Sequence, residues 1–295
     1  MRSKFLTAFQ KLPRFSIKGF YERLFYLIKM RDLKMPMWLD KVVLNLTATR
    51  VPAVQQSVIT YNGAYIPFSQ CEDPIYSHIT SNAATCGGIC EALAAFWIKH
   101  HADGNDLWSW LKPDGVLNVG NLNQVMALQR QGINPPPHQN QDTVTELWLQ
   151  GQNILPAKYS AFQYTLPNGR GGRQIRGYNQ NRISTGTSAL CNANALAREI
   201  ILDHGGAPHS DTRSGRKTSG VYKKISIEST VFGFMHTMSA WVAEDISFFD
   251  PNFGEFYFST KTDFVNWFTQ SFWFSSSYAL GLSGAYEIFT YSSRA

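Results

Sequence analysis

Helix-forming and strand-forming patterns occupy different parts of this 295-residue chain, and that order constrains its fold more than any other feature. Before residue 206 the patterns are mostly helical. Gly87-Gly88-Ile89-Cys90 opens into Glu91-Ala92-Leu93-Ala94-Ala95-Phe96-Trp97-Ile98-Lys99, rich in strong helix formers, which predicts a helix over 87–99. Further helices are predicted at 121–131, 143–150 and 192–203. Thr143-x-x-Glu146 matches a capping box and Gly205-Gly206 a stop signal. Beyond 206 the patterns turn to strands, at 221–231, 234–242, 246–249 and 255–258. A helix over 262–274 and a closing strand over 278–289 follow. Residues 42–80, with short apolar runs and Pro52 and Pro67, read as strands and loops. Residues 132–141 and 166–188 read as surface loops. Helices first and a sequential sheet afterwards make an α+β fold.

Composition sets what the body can be. Aromatic residues at 14% and hydrophobic residues at 44% supply a core, and charged residues at 16% fall short of a coiled coil or a disordered chain. No apolar run approaches the ~18 residues that span a bilayer.

Charge is unevenly placed. Residues 1–41 carry ten Lys/Arg against three Asp/Glu, while the whole chain nets +6, so a basic arm joins a nearly neutral body. A basic body would point to nucleic acid, and none is expected as a partner here. Phe5, Phe9 and Leu12 predict an amphipathic helix over 1–12, broken by Pro13; Phe20, Leu24 and Ile28 predict another over 16–31. A basic amphipathic stretch suits an anionic membrane surface, a secretion chaperone, or docking onto the body. Charges from Lys4 to Arg23 interrupt every secretory core, and Met-Arg-Ser lacks the glycine of a myristoylation signal. The chain therefore divides into an arm over 1–45 and a domain over 46–295.

Four cysteines, Cys71, Cys86, Cys90 and Cys191, are too few for a disulfide scaffold in a chain this long. No spacing fits a structural zinc, no phosphate loop is present, and neither metal nor cofactor is expected. Cys90 stands at the predicted start of an apolar helix, where free N–H groups and the helix dipole favour an anion such as a thiolate. A buried structural thiol is the plainer alternative. His236 lies among Phe234, Met235 and Met238, and could be a hydrogen-bonded core residue. Asp250 follows two phenylalanines and opens the turn Asp250-Pro251-Asn252-Phe253-Gly254, so it either caps that turn or holds a histidine ring. If 236–243 and 246–253 are adjacent antiparallel strands turning near Ala243–Asp245, His236 falls opposite Asp250. The chain order is then Cys, His, Asp, the layout of a papain-like thiol hydrolase.

Gly87-Gly88-Ile89-Cys90-Glu91-Ala92-Leu93, His236-Thr237-Met238-Ser239-Ala240 and Asp250-Pro251-Asn252-Phe253-Gly254-Glu255-Phe256 together resemble the YopT/AvrPphB-type cysteine proteases. The resemblance covers about residues 80–260. It implies a papain-like fold and a triad of Cys90, His236 and Asp250. It also implies a secreted bacterial effector that cleaves a host protein inside the host cell, such as a prenylated small GTPase or a kinase. Papain-like enzymes often place an amide before the nucleophile to bind the oxyanion, and Asn82 is the one close by. A glutamine deamidase using the same triad, or an inert body that binds a membrane or partner, are the rival readings.

Overall fold

The computed structural model describes residues 37–135, 141–156, 162–166, 173–177, 180–181, 189–202, 208–210, 217–228, 235–282 and 286–292. The helices expected at 1–12 and 16–31 lie outside them. Residues Met37–Ala295 form one compact unit.

The first half supplies helices α1 (Met37–Ala48), α2 (Val51–Ile59), α3 (Ile75–Thr80), α4 (Cys90–Ala102), α5 (Leu107–Leu111), α6 (Val119–Ile133) and α7 (Gln141–Gly151), with a short strand β1 (Ala64–Ile66). The short strands β2 (Leu155–Pro156), β3 (Phe162–Leu166), β4 (Arg173–Gly177) and β5 (Gln180–Asn181) lead to helix α8 (Ala189–Ile200). The second half runs β6 (Pro208–Ser210), β7 (Lys217–Ser219), β8 (Val221–Glu228), β9 (Met235–Val242), β10 (Ile246–Asp250), β11 (Gly254–Phe258), α9 (Lys261–Trp267), α10 (Trp273–Ser275), α11 (Tyr278–Gly281) and β12 (Tyr286–Ser292).

The main sheet has the order β1-β11-β10-β9-β8-β12-β2, with β5 also paired to β12, and its pairs are antiparallel. Alternation along each strand sends side chains to two cores. On one face Leu93, Phe96 and Trp97 of α4 pack with Tyr222, Trp241 and Phe249. On the other, Val54 and Val58 of α2, Leu196 of α8 and Trp267 of α9 pack with Met238, Phe248 and Phe256. The expected α+β class, with a helix bearing Cys90 against a sheet bearing His236 and Asp250, is the one observed.

Three local expectations are corrected. Residues 42–80 are largely helical, not strands and loops: Val51, Val54 and Val58 are buried at helical spacing, and Pro52 sits in the first turn of α2, where its missing N–H costs nothing. Within 166–188, expected as a loop, β4 pairs antiparallel with β3. The closing strand begins at Tyr286 rather than 278, because Tyr278–Gly281 forms a short helix and Tyr286 is the first residue to pair with β8. Helix α1 runs through the expected arm–domain boundary at residues 45–46, and its Leu44 belongs to the core.

Candidate active site

Helix α4 begins at Cys90 because its entry is held from outside the helix. Gly88 adopts φ +116, a conformation that disfavours any side chain, and an added Cβ would lie 3.4 Å from Gln70 Oε1. That same oxygen accepts the N–H of Ile89 at 2.8 Å, and Gln129 Oε1 accepts the N–H of Ala92 at 3.1 Å. Two side chains therefore satisfy donors of the first turn that no helical carbonyl can reach. The thiol of Cys90 is nearly buried and lies 4.0 Å from the carbonyl of Met235, the residue before His236.

His236 is the second residue of β9 and Asp250 the last of β10, at the same end of the sheet. The register differs by two residues from the expected one: Ile246 faces Val242 and Phe249 faces Ser239, so His236 does not face Asp250 directly. The two meet as a diagonal pair on one face, with His236 Nε2 3.1 Å from Asp250 Oδ2. Asp250 is fully buried and accepts three further contacts: the N–H of Asn252 to Oδ1 at 2.7 Å, and the Tyr278 hydroxyl at 3.2 Å from Oδ1 and 3.0 Å from Oδ2. Tyr278 Oη also lies 2.9 Å from His236 Nε2 and accepts Asn252 Nδ2–H at 3.0 Å. With Nε2 so occupied, Nδ1 is the ring nitrogen that remains to face another group.

Burial disfavours charge on His236, but the Asp250 carboxylate, its hydrogen bond, and Cys90 outweigh it and push the imidazole up to about 10. Burial and Asp250 hold the Tyr278 hydroxyl protonated, so it stays a donor. A cysteine near a cationic imidazole that is itself hydrogen-bonded to a buried carboxylate can carry out nucleophilic acyl transfer.

Gln70 and Tyr278 were not singled out from sequence. Gln70 Nε2 donates to Asn252 Oδ1 at 2.8 Å, and its N–H donates to Pro251 O at 2.8 Å, so it ties the turn after Asp250 to the start of α4. The one sequence signal was Asn252, in the motif block, but its partners are remote in the chain. Asn82 is half-buried and its Oδ1 accepts the N–H of Ala84 at 2.9 Å within its own turn. Cys71 donates to Asn252 Oδ1 at 3.3 Å, and burial raises its thiol far from ionisation. Cys86 donates to Ala83 O at 3.3 Å, as a structural thiol would.

The family Peptidase_C58, described as Yersinia/Haemophilus virulence surface antigen, matches residues 75–292. The chain belongs to this family. It is 34% identical over 255 residues to the cysteine protease yopT1 of Yersinia enterocolitica, covering 84% of this chain and 70% of that one. It is 30% identical over 239 residues to the protein adenylyltransferase and cysteine protease IbpA of Histophilus somni, covering 78% of this chain but 5% of that much longer protein. Among solved structures, the Pseudomonas avirulence protein AvrPphB aligns over 72% of this chain and 95% of its own, at 11% identity and a TM-score of 0.44. The protein is thus a cysteine peptidase, as its motif blocks implied. Cys90, His236 and Asp250 lie inside the matched span, and Gln70 lies outside it.

Proposed function

We propose that the protein is an effector endopeptidase that cleaves a host protein with Cys90 as nucleophile, His236 as base and Asp250 as the group that orients the base. The observation that carries this reading is the imidazole of His236 bonded at Nε2 to a fully buried carboxylate, with the Cys90 thiol at the start of α4 lying 4.0 Å from the carbonyl of Met235, the residue before that histidine. His236 takes the thiol proton, and Cys90 sulfur adds to the scissile carbonyl carbon. His236 then returns the proton to the leaving amine as the C–N bond breaks. Water, deprotonated by His236, hydrolyses the thioester and regenerates the thiol. In this reading the N–H of Cys90 at the start of α4 holds the oxyanion, with Nδ2–H of Asn82, whose Oδ1 accepts from Ala84, as the second donor. The Tyr278 hydroxyl and the N–H of Asn252 donate to Asp250, which fixes the carboxylate that holds the ring.

The same reading gives residues 1–45 a targeting role, at an anionic membrane or on a secretion chaperone. Among the described residues no helix is long and apolar enough to cross a membrane.

The test is terminal-peptide mass spectrometry of host-cell proteins incubated with wild type and with Cys90→Ala. New termini present with wild type alone are expected, with Asn82→Ala slower by about a hundredfold if its amide binds the oxyanion. An amide-to-acid mass change on glutamine without new termini would make the protein a deamidase instead. No change of either kind would leave the inert binding body.

A further inference from the structure

Directly beside the nucleophile is a charge that the acyl-transfer scheme does not use. Glu91 follows Cys90, and its side chain is almost wholly buried. A carboxylate so placed needs partners, because unpaired burial is costly. Glu91 Oε2 accepts from Thr237 Oγ1 at 2.7 Å, and Oε1 accepts from Lys224 Nζ at 2.6 Å and from Thr145 Oγ1. Lys224 is itself wholly buried, with Asp142 Oδ1 at 3.1 Å and Thr145 Oγ1 at 2.8 Å. Among the described residues no group of His, Cys, Asp and Glu is arranged for a metal ion, and an ammonium fills the centre of this one.

The decisive contact is Thr237 to Glu91, because Thr237 follows His236 in the chain. Successive residues of a strand point to opposite faces. Thr237 therefore turns toward α4 while His236 turns to the face that holds Asp250. The neighbour of the nucleophile is bonded to the neighbour of the base, and each is one peptide, about 3.8 Å, from the group beside it. A slide of α4 along β9 that separated sulfur from imidazole would first break a buried, charge-assisted bond. Lys224 on β8 and Thr145 on α7 hold Glu91 from the far side, Asp142 on α7 holds Lys224, and Ser226 on β8 lies 3.3 Å from Thr237 Oγ1. A buried ion pair is a weak source of stability compared with apolar packing, so its place here is better explained by registry.

We propose that Glu91 is a positioning residue which, through Thr237, sets the separation of the Cys90 thiol and the His236 imidazole. This rests on the reading of those two groups as nucleophile and base.

Replacing Glu91 would strip Lys224 of a partner and endanger the fold, so the test acts on the hydroxyls around it. The full chain is treated with iodoacetamide, and alkylation of the Cys90 peptide is timed by mass spectrometry at about pH 5.5 and about pH 9.5. At the acid end only a thiolate paired with an imidazolium reacts fast; at the alkaline end ordinary thiols ionise too. Thr237→Val should slow the acid-end reaction about tenfold while leaving the alkaline end within about twofold. Thr237→Ser should restore it. Thr145→Val removes a hydroxyl from the same carboxylate on the side away from His236, and should lower melting temperature without changing the ratio of the two rates. Equal ratios in all three variants and wild type would reduce the cluster to a structural one and overturn the proposal. So would an equal change in Thr237→Val and Thr145→Val. Absence of fast acid-end alkylation in wild type overturns the nucleophile–base reading itself, and the proposal falls with it.

Discussion

Three carboxyl groups, the buried Glu91 and Glu146 and the partly exposed Asp142, surround the one ammonium of Lys224. They cannot all be ionised cheaply, and the geometry decides which gives way. Lys224 bonds Glu91 at 2.6 Å and holds it ionised against burial; Glu146 Oε1 lies 3.6 Å away, and among the described residues neither Glu146 oxygen accepts a hydrogen bond. Burial therefore pushes the Glu146 carboxyl from 4.5 up to about 8, beyond what Lys224 offsets. Between these values the folded chain keeps a proton that the unfolded chain releases, so folding weakens as pH rises from 4.5 through about 8 and levels off above. Glu146→Gln cannot release that proton. In urea denaturation it should match wild type below pH 4.5 and be more stable above about pH 8, by a few kcal/mol. A difference that does not change with pH would show that Glu146 keeps no such proton. Little of this is legible in sequence, where Glu146 reads as the end of a capping box. At the site, by contrast, Cys90 stands out by its place at a helix start, and His236 and Asp250 as polar residues in apolar surroundings. Gln70 and Tyr278 had ordinary neighbours, and their partners lie 182 and 28 residues away.

At the scale of elements, the turn between β10 and β11 sets where Asp250 points. It closes on Gly254, with φ +112, and a Cβ there would lie 2.5 Å from the carbonyl oxygen of Ile66 on β1. Gly254→Ala combines an unfavourable φ with a backbone clash on the neighbouring strand. It should cost about 3 kcal/mol in denaturant unfolding. Gly104, with φ +69 and nothing within 4 Å of its Cβ position, isolates the first effect. Gly104→Ala should cost only about 1 kcal/mol. Equal costs would mean that β1 does not constrain the turn. The motif block showed that a turn stood here, since Asp, Pro, Asn and Gly are turn residues. Its two-residue difference in register was not legible, because period-2 alternation is unchanged by a shift of two. The same limit explains residues 42–80. β-branched valines favour strands locally, and only burial of Val51, Val54 and Val58 against the sheet makes α2 a helix.

At the scale of the whole chain, the uneven charge separates two jobs. The core, the sheet and the candidate triad all lie within Met37–Ala295, which is compact by itself. The excess positive charge lies in residues 1–41, and the rest of the chain is close to neutral. Each Lys or Arg near an anionic lipid surface contributes about 1 kcal/mol, so the arm has charge enough to bind vesicles and the body does not. A chain lacking residues 1–36 should unfold cooperatively, keep the acid-end alkylation of Cys90, and lose binding to phosphatidylserine vesicles by at least about a hundredfold. Full-length binding should fall as salt rises to about 1 M, where the Debye length shrinks to about 3 Å. If the shortened chain keeps its vesicle binding, the membrane contact lies on the body. If neither form binds but a secretion chaperone co-purifies with the full chain alone, the arm's basic face serves that partner. Loss of acid-end reactivity on truncation would mean that the arm helps to build the site, and the division of labour drawn from charge would fall.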